Sequence, residues 1–274
     1  MNLVITGSTS GIGLETIRSL YPNFNKIILP VRNLKKALEI VNEFKNPEKF
    51  HCIEMDLSSI KSVDKAGRQI SETYEKVDLL INNAGGIFPS DLKTKEGLDW
   101  SFAVNHLGHF HLTNLLLSNL TKAKGKIIFV SSEAHRIGTI RSEDLGLKRR
   151  SNSWSNYGTV KLYNILTSNY FNYNYGNGGI STYSLHPGAV KTSFGSEANL
   201  ISKAIISLSK LFFISAKKGA ETSVFLANTP KSQLQSGGYY ISKKLKNPIS
   251  KSKDLKIQKK LYDFSLKKIE EILS

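Results

Sequence analysis

The sequence predicts an α/β fold, a single domain on a doubly wound, mostly parallel seven-stranded sheet with helices on both faces. Short apolar runs bounded by turn residues alternate with longer segments of helical period, the pattern of a parallel sheet with crossover helices. A glycine-rich turn, Gly7 to Gly13, follows the first apolar run, and the later runs end in polar or small residues. In such a sheet, ligands collect beyond the carboxyl ends of the strands.

Leu3 to Ile5 read as a short strand buried on both faces, and Leu14, Ile17 and Leu20 space the helix that follows. Further strands are expected at 26–29, 50–55, 77–81, 126–131, 180–185 and 238–241, and the first at 3–6. Helices are expected at 12–21, 34–44, 60–74, 100–120, 157–173, 216–227 and 254–273. Strand two closes on Arg32 and Asn33, three on Asp56 and Leu57, and four on Asn82, Asn83, Ala84 and Gly85. Five closes on Ser131 and Ser132, and six on His186, Pro187 and Gly188. Together these would ring one crevice.

Between the first strand and its helix, glycine permits positive φ and lets backbone N–H groups approach a diphosphate, whose charge the helix dipole favours. Gly7, Ser8, Thr9, Ser10, Gly11, Ile12 and Gly13 are therefore the candidate phosphate cradle, with the alternative that the turn is only a tight connection. The spacing Gly-x-x-x-Gly-x-Gly departs from the commoner Gly-x-Gly-x-x-Gly.

With 274 residues, no linker-like stretch and no internal repeat, one large domain is expected; a domain of this size buries roughly 75% of its unfolded surface. The first strand starts at Asn2 and no run approaches the ~20 apolar residues of a membrane span, so a soluble, cytoplasmic protein is expected. The single cysteine, Cys52, excludes an intrachain disulfide and a multi-cysteine metal site, and reads as a buried, inert thiol. Net charge is +16, and residues 201–274 hold 15 Lys against 5 acidic groups. This reads as a solvated lysine face, because no arginine cluster interleaved with aromatics suggests nucleic-acid recognition. Without accompanying thiols or carboxylates, His106, His109, His111 and His135 read as packing residues, and no metal is expected.

Tyr157 and Lys161 lie one helical turn apart, a spacing suited to proton transfer because a neighbouring ammonium favours a phenolate. The motif alone discriminates poorly: Tyr239/Lys243 and Tyr240/Lys244 share it. Those two lie in or beside a strand, where residues four apart are roughly 13 Å distant.

Taken together, the glycine turn, Asn82 to Gly85, Asn105, Ser132, Tyr157 with Lys161, and Pro187-Gly188 resemble the short-chain dehydrogenase/reductase family over nearly the whole chain. The resemblance implies a Rossmann-type fold and a catalytic set of Asn105, Ser132, Tyr157 and Lys161. In that set Tyr157 exchanges the proton and Ser132 bonds the substrate oxygen. Lys161 holds the nicotinamide ribose and lowers the tyrosine pKa, and Asn105 supports a water-linked relay. It further implies cofactor contacts from Asp56, Leu57, Asn83, Ala84, Gly85, Pro187, Gly188, Val190 and Thr192. Val104 to His109, Ser131 to His135, and the 25 positions between Ser132 and Tyr157 look most like the retinol dehydrogenase-like branch. The long gap marks 135–156 as an added loop near the pocket.

Arg32, with no acidic residue in 26–33, points to NADP(H) over NAD(H). The expected reaction is interconversion of a carbonyl and an alcohol, favouring reduction. Residues 192–213 resemble a substrate lid for an apolar molecule; an amphipathic helix packed on the core satisfies the same pattern. The stripe Leu255, Tyr262, Leu266, Ile269 and Leu273 is expected to pack on the domain or on a second subunit, as homodimer or homotetramer, rather than on a membrane. Two alternatives are a non-catalytic NADP(H) sensor and a pigment reductase of the protochlorophyllide type. Retention of Ser132, Tyr157 and Lys161 opposes the first, and the position of Cys52 opposes the second.

Overall fold

A computed structural model describes residues 1–149, 152–188 and 215–274. Its sheet runs β3-β2-β1-β4-β5-β6-β7-β8. The strands are β1 Asn2–Ile5, β2 Lys26–Val31, β3 Phe50–Glu54, β4 Leu79–Asn82, β5 Lys126–Val130, β6 Ser181–His186, β7 Gly238–Ile241 and β8 Lys244–Lys246. All neighbours from β3 to β7 are parallel, so their carboxyl ends share one edge. Chain order reverses between β1 and β4, which opens a crevice at that edge.

Alternation along the strands sorts side chains to two cores. Val4, Ile28, Leu80, Ile127 and Phe129 face one, with α3 Ile60–Thr73 and α7 Ser153–Tyr175 supplying Val63, Ile70, Val160 and Leu166. Leu3, Ile5, Leu29, Ile81 and Val130 face the other, covered by α1 Gly11–Leu20, α2 Leu34–Val41 and α8 Ala216–Asn228 through Ile17, Ala37 and Leu226. The C-terminal stripe lies on α9 Leu255–Leu273, where Leu261 and Ile269 are buried in the first core.

The sheet has eight strands where seven were expected. β8 pairs antiparallel with β7 through a two-residue turn, Ser242 and Lys243, both at positive φ (49° and 66°). That geometry usually recruits Asn or Gly, and all three β8 residues are exposed, so neither turn chemistry nor alternation announced it. The single helix expected at 100–120 is instead a series: α4 Trp100–Phe102, a π-turn Ala103–Leu107, α5 Gly108–Leu115 and α6 Leu117–Ala123. The π-turn places Asn105 off a regular helical register, as π-bulges at functional sites commonly do. The loop expected at 135–156 is shorter, because a 3₁₀ turn spans Glu133–Ile137 and α7 already starts at Ser153, with Asn152 accepting from Ser155 N. Tyr157 is thus one turn inside α7 rather than at its start. Among the described residues no helix is long and apolar enough to cross a membrane.

Candidate active site

The glycine turn and the loop after β4 interlock at the crevice. Gly7 and Gly11 adopt φ +65° and +54°. A Cβ on Gly13 would lie 2.1 Å from Gly7 O, and one on Gly7 2.8 Å from Ala84 Cα, so only glycine admits this approach. Asn83 Nδ2 donates to Thr6 O (2.9 Å) and Gly7 O (3.2 Å), joining the two loops. Thr6 Oγ1 accepts from Asn83 N and Ala84 N, both at 3.0 Å. Its own proton therefore goes to His109 Nε2 at 2.9 Å, which leaves the ring proton on Nδ1, facing Asn105 O at 3.4 Å. Burial, then the nearby Lys161, pulls His109 down to about 3, so it stays neutral.

The cradle has the features of an anion site. Ser10 caps α1 in an extended conformation with no side-chain cap bond, and the buried Ser8 Oγ has no hydrogen-bond partner among the described residues. Thr9 is half-buried, and Ile12 lies in the first turn of α1. Arg32 is exposed one residue beyond β2, and Asn33 caps α2 by accepting from Lys36 N. Beyond β3, Asp56 Oδ1 accepts from Ser58 N (2.9 Å) and Ser58 Oγ (2.8 Å), and Leu57 is buried against Gly108.

Asn105 Oδ1 accepts from Gly86 N and its Nδ2 donates to Gly86 O, both at 3.0 Å, pinning the loop after β4 to the π-turn. Gly85, at φ +155°, would place a Cβ 2.4 Å from Asn105 Oδ1 and 3.1 Å from Lys161 Nζ. Lys161 Nζ donates to Val130 O (3.0 Å) and lies 5.5 Å from the Tyr157 ring centroid. Burial pulls Lys161 down to about 7. It pushes the Tyr157 phenol above its ordinary value, with a hydrogen bond from Ser132 opposing. The lowering expected from Lys161 does not outweigh this desolvation, and the phenol keeps its proton at neutral pH.

Ser132 follows β5 and caps the 3₁₀ turn, its Oγ accepting from Ala134 N at 3.2 Å. That turn packs on α7 at backbone contact: a Cβ on Gly158 would meet Ala134 O at 2.6 Å, and one on Gly138 would meet Gly158 O at 2.5 Å. Glu133 accepts from Tyr239 OH (3.0 Å) and Arg136 Nε (3.0 Å), and Glu133 N donates to His186 Nδ1 (3.3 Å) at the end of β6. Pro187 and Gly188 follow, Gly188 at φ +94°. Val190, Thr192 and the segment 192–213 lie outside the described residues.

Gly138, Gly158, His135 and Tyr239 were absent from the sequence-derived site. The Tyr157-Gly158 pair was the one local signal for the close packing. In the sequence Tyr239 lacks a lysine within reach, and in the structure Lys243 pairs with Glu221 at 3.0 Å. The histidines hold separate partners: His106 Nε2 pairs with Ser265 Oγ and His111 Nε2 with Asp64 Oδ1.

A short chain dehydrogenase family model matches residues 1–201. Retinol dehydrogenase 14 from Homo sapiens is 32% identical over 96% of this chain and 84% of its own length. An uncharacterized protein from Mycobacterium Paratuberculosis shares the fold with a TM-score of 0.79 at 27% identity, covering 98% of this chain and 93% of that one. The NADPH bound carbonyl reductase from chicken fatty liver superposes with a TM-score of 0.68 at 22% identity, covering 90% and 98%. The chain belongs to the short chain dehydrogenase family, in its retinol dehydrogenase-like branch. It is an oxidoreductase of that type.

Proposed function

We propose that this protein is a cytoplasmic NADP(H)-dependent reductase that interconverts an apolar ketone or aldehyde with its alcohol, using Tyr157 as acid and base. The observation that carries the reading is the convergence of the buried Tyr157 phenol, the half-buried Ser132 at the end of β5, and Lys161 Nζ 5.5 Å from the Tyr157 ring centroid and against Gly85 of the loop that interlocks with the glycine cradle.

The cradle fits a dinucleotide: Gly7 to Gly13 would hold the diphosphate and Arg32 a 2′-phosphate. Asp56 and Leu57 would flank the adenine end, and Asn83, Ala84 and Gly85 the ribose between them. Lys161 and Tyr157 would meet the nicotinamide ribose, and Pro187 and Gly188 the carboxamide side. When bound, NADPH supplies hydride. The chain's own part begins with Ser132, whose hydroxyl holds the substrate oxygen beside the phenol. Tyr157, kept protonated by burial, delivers its proton to that oxygen, and Ser132 stabilises the charge as it develops. Lys161 and Asn105 hold the loop and helix that place these groups. An aromatic neighbour of Tyr157 favours an apolar substrate: Trp154 meets the Tyr157 ring edge-on at 6.4 Å.

The test is reduction of retinal, aromatic ketones, quinones and aliphatic aldehydes by wild type and Tyr157→Phe. The variant should keep its thermal midpoint and NADPH affinity while losing about 100-fold or more of turnover on every substrate the wild type reduces. Wild-type turnover by Tyr157→Phe would refute the assignment. NADPH binding without turnover across the panel would favour a sensor instead.

A further inference from the structure

His135 makes contacts that neither burial nor packing requires. The Ser132 carbonyl oxygen accepts twice from this one residue, from its backbone N–H at 3.0 Å and from ring Nδ1 at 2.7 Å. On the far side of the ring, Nε2 receives the backbone N–H of Ile249 at 3.2 Å. A backbone N–H only donates, so Nε2 carries the lone pair and the ring proton is on Nδ1, aimed at Ser132 O. The ring is fully buried and set edge-on against Tyr239 at 5.0 Å. Desolvation keeps it neutral, which preserves one donor and one acceptor.

This arrangement fixes the peptide that follows Ser132. Both lone pairs of the carbonyl are taken, the hydroxyl accepts from Ala134 N, and the turn is held against α7 by Gly138 and Gly158. Ser132 therefore has little freedom to turn its hydroxyl away from Tyr157. Ile249 belongs to the segment after β8, so the ring also ties the C-terminal part of the chain to this turn.

We propose that His135 is a positioning residue: through its Nδ1–H it holds the Ser132 carbonyl and thereby keeps the Ser132 hydroxyl on Tyr157. The inference rests on the reading of Ser132 as the group that holds the substrate oxygen. His135 does not touch the reacting atoms.

The two ring nitrogens can be tested separately. In His135→Asn the amide nitrogen takes the place of Nδ1 and the acceptor for Ile249 is lost. In His135→Gln the amide oxygen takes the place of Nε2 and the donor to Ser132 is lost. His135→Ala removes both. With NADPH and a carbonyl substrate from the panel above, kcat of the Gln and Ala variants should fall about tenfold or more, as expected for a displaced reacting group. NADPH affinity should stay within about twofold, and Asn should restore most of kcat although its thermal midpoint falls as far as that of Ala. Recovery by Gln rather than Asn, or unchanged kcat in all three, would overturn the proposal in favour of simple anchoring of the C-terminal segment. Nitrogen NMR of the wild-type protein gives a readout independent of any variant: a ring proton found on Nε2 also overturns it. Ser132→Ala separates the two layers. If it retains wild-type turnover, the underlying reading fails. If it is inactive while His135→Gln is fully active, only the positioning role fails.

Discussion

Gly158→Ala probes the contact on which the site geometry depends. The added Cβ would lie 2.6 Å from Ala134 O and 2.9 Å from Ile137 Cγ1. The isoleucine side chain can rotate away, but the carbonyl is backbone within the 3₁₀ turn capped by Ser132. To reach ordinary contact the turn and α7 must separate by about 0.8 Å, between Ser132 on one side and Tyr157 on the other, and displacements near 1 Å cost about 100-fold in rate. Alanine gains about 1 kcal/mol of helix propensity over glycine. Overpacking against backbone costs about 1–3 kcal/mol, so the net change is from near zero to about 2 kcal/mol destabilising. At roughly 2–4 °C per kcal/mol, the thermal midpoint should fall by at most about 8 °C. Carbonyl reduction with NADPH should fall about 10- to 100-fold, far more than the small loss of stability explains. The separation of rate from stability is the signature. A variant with turnover within twofold of wild type would show that the Gly138–Gly158 contact does not set the site, and the reasoning would fail.

If Arg32 holds a 2′-phosphate, wild type should show higher kcat/KM with NADPH than with NADH. Arg32→Ala should lose about 10- to 100-fold with NADPH, the worth of a charge-assisted contact, while NADH kinetics stay unchanged. A wild-type preference for NADH would sink the cofactor assignment. Lys161 gives a pH signature in stability. Its folded pKa is about 7 against an ordinary 10.5, so between those values the unfolded chain binds the extra proton and stability rises with pH. The thermal midpoint of wild type relative to Lys161→Met should therefore climb from pH 7 toward pH 10, and a flat difference would show that the ammonium is not desolvated.

Strand and helix alternation made the parallel sheet legible, because the buried strands are short runs bounded by turn residues and longer helical segments separate most of them. The seven parallel strands were read within one or two residues at most of their ends. β8 was not, because an exposed Lys-Leu-Lys edge strand buries nothing and has no pattern to show. The break in the helix at 100–120 escaped for a related reason: the π-turn carries Asn105, whose side chain bonds Gly86, a partner 19 residues away, and local propensity is silent about such a contact.

By itself the sequence determined the fold class and the alternation of parallel strands with helices, and it singled out the glycine turn, Ser132, Tyr157 and Lys161 as candidates through spacing, placement at strand ends and resemblance to a family. Only the tertiary structure decided which groups surround them. Gly158 lies against Ala134, 24 positions earlier in the chain, and His135 reaches Ile249 across 114 positions. The charge states were also a tertiary outcome. A lysine one turn from a tyrosine suggests a lowered phenol, yet desolvation at this depth raises Tyr157 and lowers Lys161, because the cost of removing water depends on everything packed around a group rather than on its neighbours in sequence.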